Sequence, residues 1–201
     1  MRILVIGATG TIGRAVTAAF GEAGHEVVRA SRGAAEPELR VDMADPASVA
    51  ALLAAVGEVD AVVCCAASGA LVRITEGADA EFLTGLDGKL LGQVLLVRQA
   101  LRWVRDGGSV TLTSGVFDEP LPGASFGALV NAGLEAFVAA VAGEMPRGIR
   151  VNAVGPGWVA ETLALLGRDP AAGTPVAGVA GAYVAAVSGT ARGRTFRPGR
   201  G

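Results

Sequence analysis

Apolar, β-branched runs at Arg2–Ile6 and Glu26–Ala30 flank a stretch, Thr11–Ala23, whose apolar positions recur at helical spacing. Strand, helix and strand in that order predict a βαβ unit with a parallel pair and a right-handed crossover. The alternation continues. Strands are expected at Leu39–Val41, Asp60–Cys65, Ser109–Thr113, Arg150–Val154 and near Arg194–Phe196. Asp60–Cys65 is apolar nearly throughout, the pattern of a strand covered on both faces. Helices are expected over Ala47–Val56, led by Asp45-Pro46 as N-cap and first residue; from about Gly85 to Arg105, closed by Asp106-Gly107-Gly108; over Ala124–Met145, stopped by Pro146; around Glu161–Leu166; and around Val176–Val187. Residues 69–84 read as loop plus a short helix. The whole predicts a doubly wound α/β fold: one parallel sheet of about seven strands with helices on both faces, in a single domain spanning 1–201.

The first strand runs into glycines at 7, 10 and 13, and these open the first helix. In a Rossmann-type dinucleotide site one glycine makes the tight turn, one lets the backbone approach a pyrophosphate and one lets helix and strand pack closely, while the helix N-terminus offers N–H groups to the anion. The bland reading of the same glycines is a strand-to-helix turn; the strand before them and the amphipathic helix after them favour the dinucleotide site. At the end of the second strand such a fold places an acid for a ribose hydroxyl or an arginine for a 2′-phosphate. Here Ser31-Arg32 stands there, with no acid until Glu36, which favours NADP(H) over NAD(H). Ala66-Ala67-Ser68 would let a ligand lie close to the backbone. The loop Phe117–Gly123 follows the strand at 109–113 at its carboxyl end, where open parallel sheets bind ligands; Asp118 and Glu119 within it read as solvated loop acids.

Charge and composition narrow the partners. A net charge of −2 and a pI near 5.5 give no signature of nucleic acid or of an anionic membrane. Four arginines close the chain (Arg192, Arg194, Arg197, Arg200) and read as a solvated tail rather than a binding patch. The adjacent Cys64 and Cys65 are too few for a metal site and read as small buried side chains, so no metal is expected. The chain enters its first strand without a basic leader and Asn131 and Glu135 interrupt its most apolar window, so a cytoplasmic protein without a membrane span is expected.

In their order and spacing these motifs resemble the short-chain dehydrogenase/reductase family over essentially the whole chain. Gly7-Ala8-Thr9-Gly10-Thr11-Ile12-Gly13 matches the GxxGxxG of its extended and atypical members; Asp42, followed by Met43, stands where the family's adenine-contacting aspartate does; Cys64-Cys65-Ala66-Ala67 takes the place of its NNAG; and Arg150-Val151-Asn152-Ala153-Val154-Gly155-Pro156-Gly157 is similar to the RVN-x-V-x-PG that lies beside the nicotinamide. The resemblance implies a cofactor site built from Gly7, Thr9, Gly10, Thr11, Ile12, Gly13, Ser31, Arg32, Asp42, Met43, Ala66, Ala67, Pro156 and Gly157. It also implies a tyrosine and, four residues on, a lysine as the proton-exchanging pair. The chain departs here, because Tyr183 is its one tyrosine and Lys89 its one lysine. Counting back from Glu144 puts the lysine position at Asn131 and the tyrosine position at Gly127, or, shifted by one, at Val130 and Phe126, and neither register restores the pair; the helix asparagine position reads Lys89, and the serine survives as Ser114. Lys89 and Ser114 are therefore the candidate catalytic residues, Ser114 to hydrogen-bond the substrate oxygen and Lys89 as a proton source. Loss of general acid catalysis slows a reductase by roughly 10²–10⁴-fold without forbidding turnover. Two readings follow: an NADP(H)-dependent oxidoreductase on a small carbonyl or alcohol by a non-standard proton route, or a cofactor-binding sensor or assembly partner without turnover. The long apolar helices at 85–105 and 124–145 lead one to expect a homodimer or homotetramer.

Overall fold

The computed structural model describes residues 1–117 and 119–199, so Asp118 and Arg200 lie outside the described residues. In chain order the elements are β1 (Arg2–Ile6), α1 (Thr11–Glu22), β2 (Glu26–Ala30), α2 (Pro46–Val56), β3 (Val59–Cys64), α3 (Asp79–Phe82), a π-helical turn (Leu86–Leu91), α4 (Gly92–Ala100), β4 (Val104–Thr113), α5 (Ser125–Val141), β5 (Arg150–Val154), α6 (Ala160–Leu165), α7 (Val176–Ser188) and β6 (Thr195–Phe196). The strands pair in parallel in the order β2-β1-β3-β4-β5-β6. Because the chain adds β2 on one side of β1 and β3 on the other, the winding reverses between β1 and β3, and that is where an open α/β sheet leaves a crevice.

Both faces of the sheet are covered, which is why its strands are apolar at successive positions. Phe20 and Val16 of α1 meet Tyr183 and Val179 of α7 on one face; Leu52 and Leu53 of α2, Leu96 of α4 and Leu134 of α5 fill the other. Asp45 caps α2 by accepting the Ala47 N–H at 2.9 Å, with Pro46 at the first helical position.

The sheet has six strands, not the expected seven or so. Leu39–Val41 is not one of them: Pro37–Leu39 forms a 3₁₀ turn, and Arg40 makes a single bridge to Ser31. Pro37, with its fixed φ, starts the turn, and too little chain remains to form a ladder. The helix expected over 85–105 is divided into the π-helical turn and α4, and it ends early because Val104 pairs with Val59. Asp106-Gly107-Gly108 is consequently no helix cap; it lies within β4, where Gly107 has φ +74° and the register between Val59 and Ala61 shifts. The helix expected over 124–145 stops as α5 at Val141. Among the described residues no helix is long and apolar enough to cross a membrane.

Candidate active site

A cleft of about 860 Å³ opens at the carboxyl ends of β1, β2 and β3. Gly7, Thr9 and Gly10 form its floor, Ser31 and Arg32 its far end, Asp42 and Met43 one wall and Ala66 and Ala67 another. Gly7 turns the chain at φ +80°, and a Cβ on it would lie 2.6 Å from the Ala66 backbone nitrogen. Gly13 does not line the cleft but supports it from behind, since its Cβ would sit 2.0 Å from the Gly7 carbonyl oxygen. Gly10 is the N-cap of α1, with no side-chain cap and no acid in the first turn, so Thr11 and Ile12 begin a helix whose N-terminal N–H groups are open to an anion. Asp42, exposed, accepts the Ala44 N–H at 3.0 Å. The cleft fits a dinucleotide on two further observations: Gly7 and Gly10 leave bare backbone in its floor, and the Ser31 hydroxyl, buried beside Arg32, has no hydrogen-bond partner among the described residues. Cys65 also lines it, half-buried, with burial pushing its thiol pKa up.

A smaller cavity of about 180 Å³ continues the cleft, sharing Ser68, Thr84 and Gly85 with it. Leu71, Phe117, Val130 and Trp158 make most of its wall apolar, and Lys89, Gly127 and Asn131 complete it. Chain positions far apart in sequence thus meet: Lys89 arrives on the π-helical turn, Gly127 and Asn131 on α5. Phe117 packs where a side chain at Gly127 would go, 3.4 Å from its would-be Cβ. Burial holds the Lys89 pKa below the ordinary lysine value. What fixes Lys89 is Gln93, a residue the sequence reading passed over. Its buried amide donates to the Lys89 carbonyl at 2.7 Å and to the Thr113 carbonyl at 2.9 Å, and its oxygen accepts the Thr113 N–H at 2.8 Å. Gly92 lets this segment approach, since a Cβ there would lie 2.1 Å from the Met43 carbonyl oxygen.

Ser114 lines neither of these two cavities. Its hydroxyl, almost fully buried, donates to Glu135 Oε1 at 2.8 Å, and Arg197 holds Glu135 Oε2 at 2.5 Å. A bare Gly155 is what admits this arrangement, because a Cβ would fall 2.1 Å from Arg197 Nη1 and 2.8 Å from Ser114 Oγ. Arg197 is therefore built into the fold and is no tail residue. The residue after the serine, Gly115, faces Asn131, whose Nδ2 lies 3.1 Å from its would-be Cβ. Pro156 and Gly157 also line neither cavity; the Pro156 carbonyl accepts the Val116 N–H at 3.0 Å and so ties the turn after β5 to the end of β4. Tyr183 is fully buried behind the sheet. Thr113 Oγ1 gives its one proton to the Cys64 carbonyl at 2.5 Å, so the Tyr183 hydroxyl, 2.5 Å away, donates to Thr113, and burial lifts its pKa well above the usual value. Among the described residues no three His, Cys, Asp or Glu side chains are placed to hold a metal.

A glycine-floored cleft at the point where a parallel sheet reverses its winding defines a dinucleotide-binding α/β protein. The family model described as enoyl-(acyl carrier protein) reductase matches residues 7–170, and the chain belongs to the short-chain dehydrogenase/reductase family. Among solved structures, the protein lin1944 from Listeria innocua is 33% identical over 98% of both chains, with a TM-score of 0.89. A small-chain dehydrogenase is 26% identical, over 98% of this chain and 95% of that one, with a TM-score of 0.82. Another small-chain dehydrogenase, solved in complex with NADPH, shares the fold at 23% identity and a TM-score of 0.84, over 98% of this chain and 95% of that one. A comparison with curated proteins gives no match.

Proposed function

We propose that the protein is a cytosolic NADP(H)-dependent oxidoreductase acting on a small carbonyl or alcohol. The observation that carries this reading is the end of the cleft, where Arg32 and an unpartnered Ser31 hydroxyl stand together at the tip of β2. A phosphate is the group that an arginine and a free hydroxyl would bind there. The NADPH complex of the similarly folded dehydrogenase supports the choice. In this reading the α1 N-terminus takes the pyrophosphate, Asp42 and Met43 the adenine, Ala66 and Ala67 the ribose edge, and Pro156-Gly157 backs the nicotinamide. The cofactor supplies hydride transfer. From the chain itself Lys89, which lines the smaller cavity, donates a hydrogen bond to the substrate oxygen, while Ser114, bonded to Glu135, holds α5, the helix that brings Asn131 to that cavity.

The test is NADPH binding by fluorescence, followed by NADPH oxidation against a panel of small aldehydes, ketones and oxo acids. Turnover of any member supports the enzyme. Binding without turnover by any of them favours the second reading, a cofactor-binding sensor or assembly partner, which Gly127 and Asn131 at the positions of the family's catalytic pair favour. For cofactor choice, Arg32→Ala is expected to weaken NADPH about 10–100-fold and leave NADH within a few-fold, the scale of one charge-assisted hydrogen bond; equal losses for both in calorimetry would place the phosphate elsewhere. We further propose a homodimer or homotetramer through α4 and α5, beside which Leu91 and Leu129 are 46% and 63% exposed. Light scattering at micromolar concentration should give twice or four times the 20.0 kDa chain mass; a monomer would refute it.

A further inference from the structure

The smaller cavity is mostly apolar and holds one charged side chain. Leu71, Phe117, Val130 and Trp158 line it together with the chain's one lysine, its other polar side chains are Ser68, Thr84 and Asn131, and no carboxylate lines it among the described residues. Asn131, which also lines it and is 5% exposed, carries an Oδ1 that is buried and has no hydrogen-bond partner among the described residues. An ammonium has three donors and no acceptor, and a buried charge without a counter-ion is costly. Burial lowers the Lys89 pKa, and no anion among the described residues offsets it.

We propose that this cavity binds a small, largely apolar molecule carrying one carboxylate, which pairs with the Lys89 ammonium while Asn131 Oδ1 accepts another of its N–H groups. The inference rests on the oxidoreductase reading of the same site and narrows its substrate class to short-chain oxo or hydroxy acids. Chemistry points this way, and a volume of about 180 Å³ is on the scale that a short chain fills. A phosphate or sulfate calls on several cations or a row of backbone N–H groups, and here one ammonium stands in a mostly apolar lining. A neutral ketone would bring that ammonium no counter-charge.

The single lysine makes the test direct. Protein labelled with ¹³C-lysine has one Lys Cε resonance to titrate, without a cofactor and without turnover. In the free protein it should titrate below the ordinary lysine range, and butyrate or 2-oxobutyrate should move the titration upward, because an adjacent anion favours the protonated form. Butanamide, a neutral isostere, should not. Lys89→Met should weaken butyrate binding about 10–100-fold, and Lys89→Arg, which keeps the charge, should retain it within a few-fold. A free-protein titration at or above the ordinary range would mean that the ammonium already has an anionic partner, and that overturns the proposal. So would carboxylate and amide acting alike. NADPH fluorescence on the same wild-type sample separates the two claims. NADPH binding with a resonance indifferent to carboxylates sinks this inference and spares the cofactor reading, whereas a carboxylate shift without NADPH binding supports this site and sinks the oxidoreductase.

Discussion

Gly13→Val should destabilise the fold by about 3 kcal/mol or more and weaken NADPH at least about tenfold in whatever remains folded. The argument is one of contacts that cannot give way. A Cβ at position 13 would lie 2.0 Å from the Gly7 carbonyl oxygen, 2.8 Å from its carbon and 2.9 Å from the Ala8 Cα, all backbone atoms. No rotamer change relieves that, so the loop between β1 and α1 must open. Gly7 has no room to move, because it sits at φ +80° with the Ala66 backbone against its other side. The displaced atoms are those that form the floor of the cleft, so stability and binding should fall together. Urea unfolding, read beside NADPH fluorescence titration, checks both. A folded variant with an unchanged dissociation constant would show that this turn is not the phosphate cradle.

What the sequence made legible was whatever rests on local pattern. The three glycines, the cap at Asp45-Pro46 and the apolar strands other than Leu39–Val41 each announce themselves within a few residues, and the structure has them there. Errors arose where a local pattern was outvoted by a distant partner. Leu101, Trp103 and Val104 continue a helical apolar spacing, and nothing nearby tells that Val104 is claimed by Val59 of β3. Leu39–Val41 has strand-like composition, yet Ser31 and Arg40 form its one bridge. The polar residues that organise the site were the hardest to see. Glu135 reads as an interruption in an apolar window, and only the fold reveals Ser114 on one of its oxygens and Arg197 on the other. Lys89 and Asn131 could be singled out by counting against the family, but their meeting in one cavity is a product of helix packing that no spacing rule contains.

Gln93 was invisible for the same reason, and it carries the second large expected effect. Gln93→Leu should cost about 2–4 kcal/mol, since it nearly preserves volume yet strands the Thr113 N–H and carbonyl, both buried, and releases the Lys89 carbonyl. Loss of the last of these frees the π-helical turn, so the Lys89 titration should move toward the ordinary lysine value as its surroundings loosen. Gln93→Glu separates hydrogen bonding from packing. In its protonated form the acid still accepts from the Thr113 N–H and donates to the Thr113 carbonyl; once ionised, it sets a buried charge against that carbonyl. The folded state therefore raises the pKa of the new carboxyl above its unfolded value of about 4.3. Its deficit against wild type should be smallest below that value and grow as pH climbs through the folded-state pKa, by up to about 1.4 kcal/mol per pH unit. Urea unfolding of wild type, Gln93→Leu and Gln93→Glu from pH 4 to pH 8 measures it. A Glu variant whose deficit stays flat across that range would mean that Gln93 matters for its bulk and that something else holds Lys89 over the end of β4.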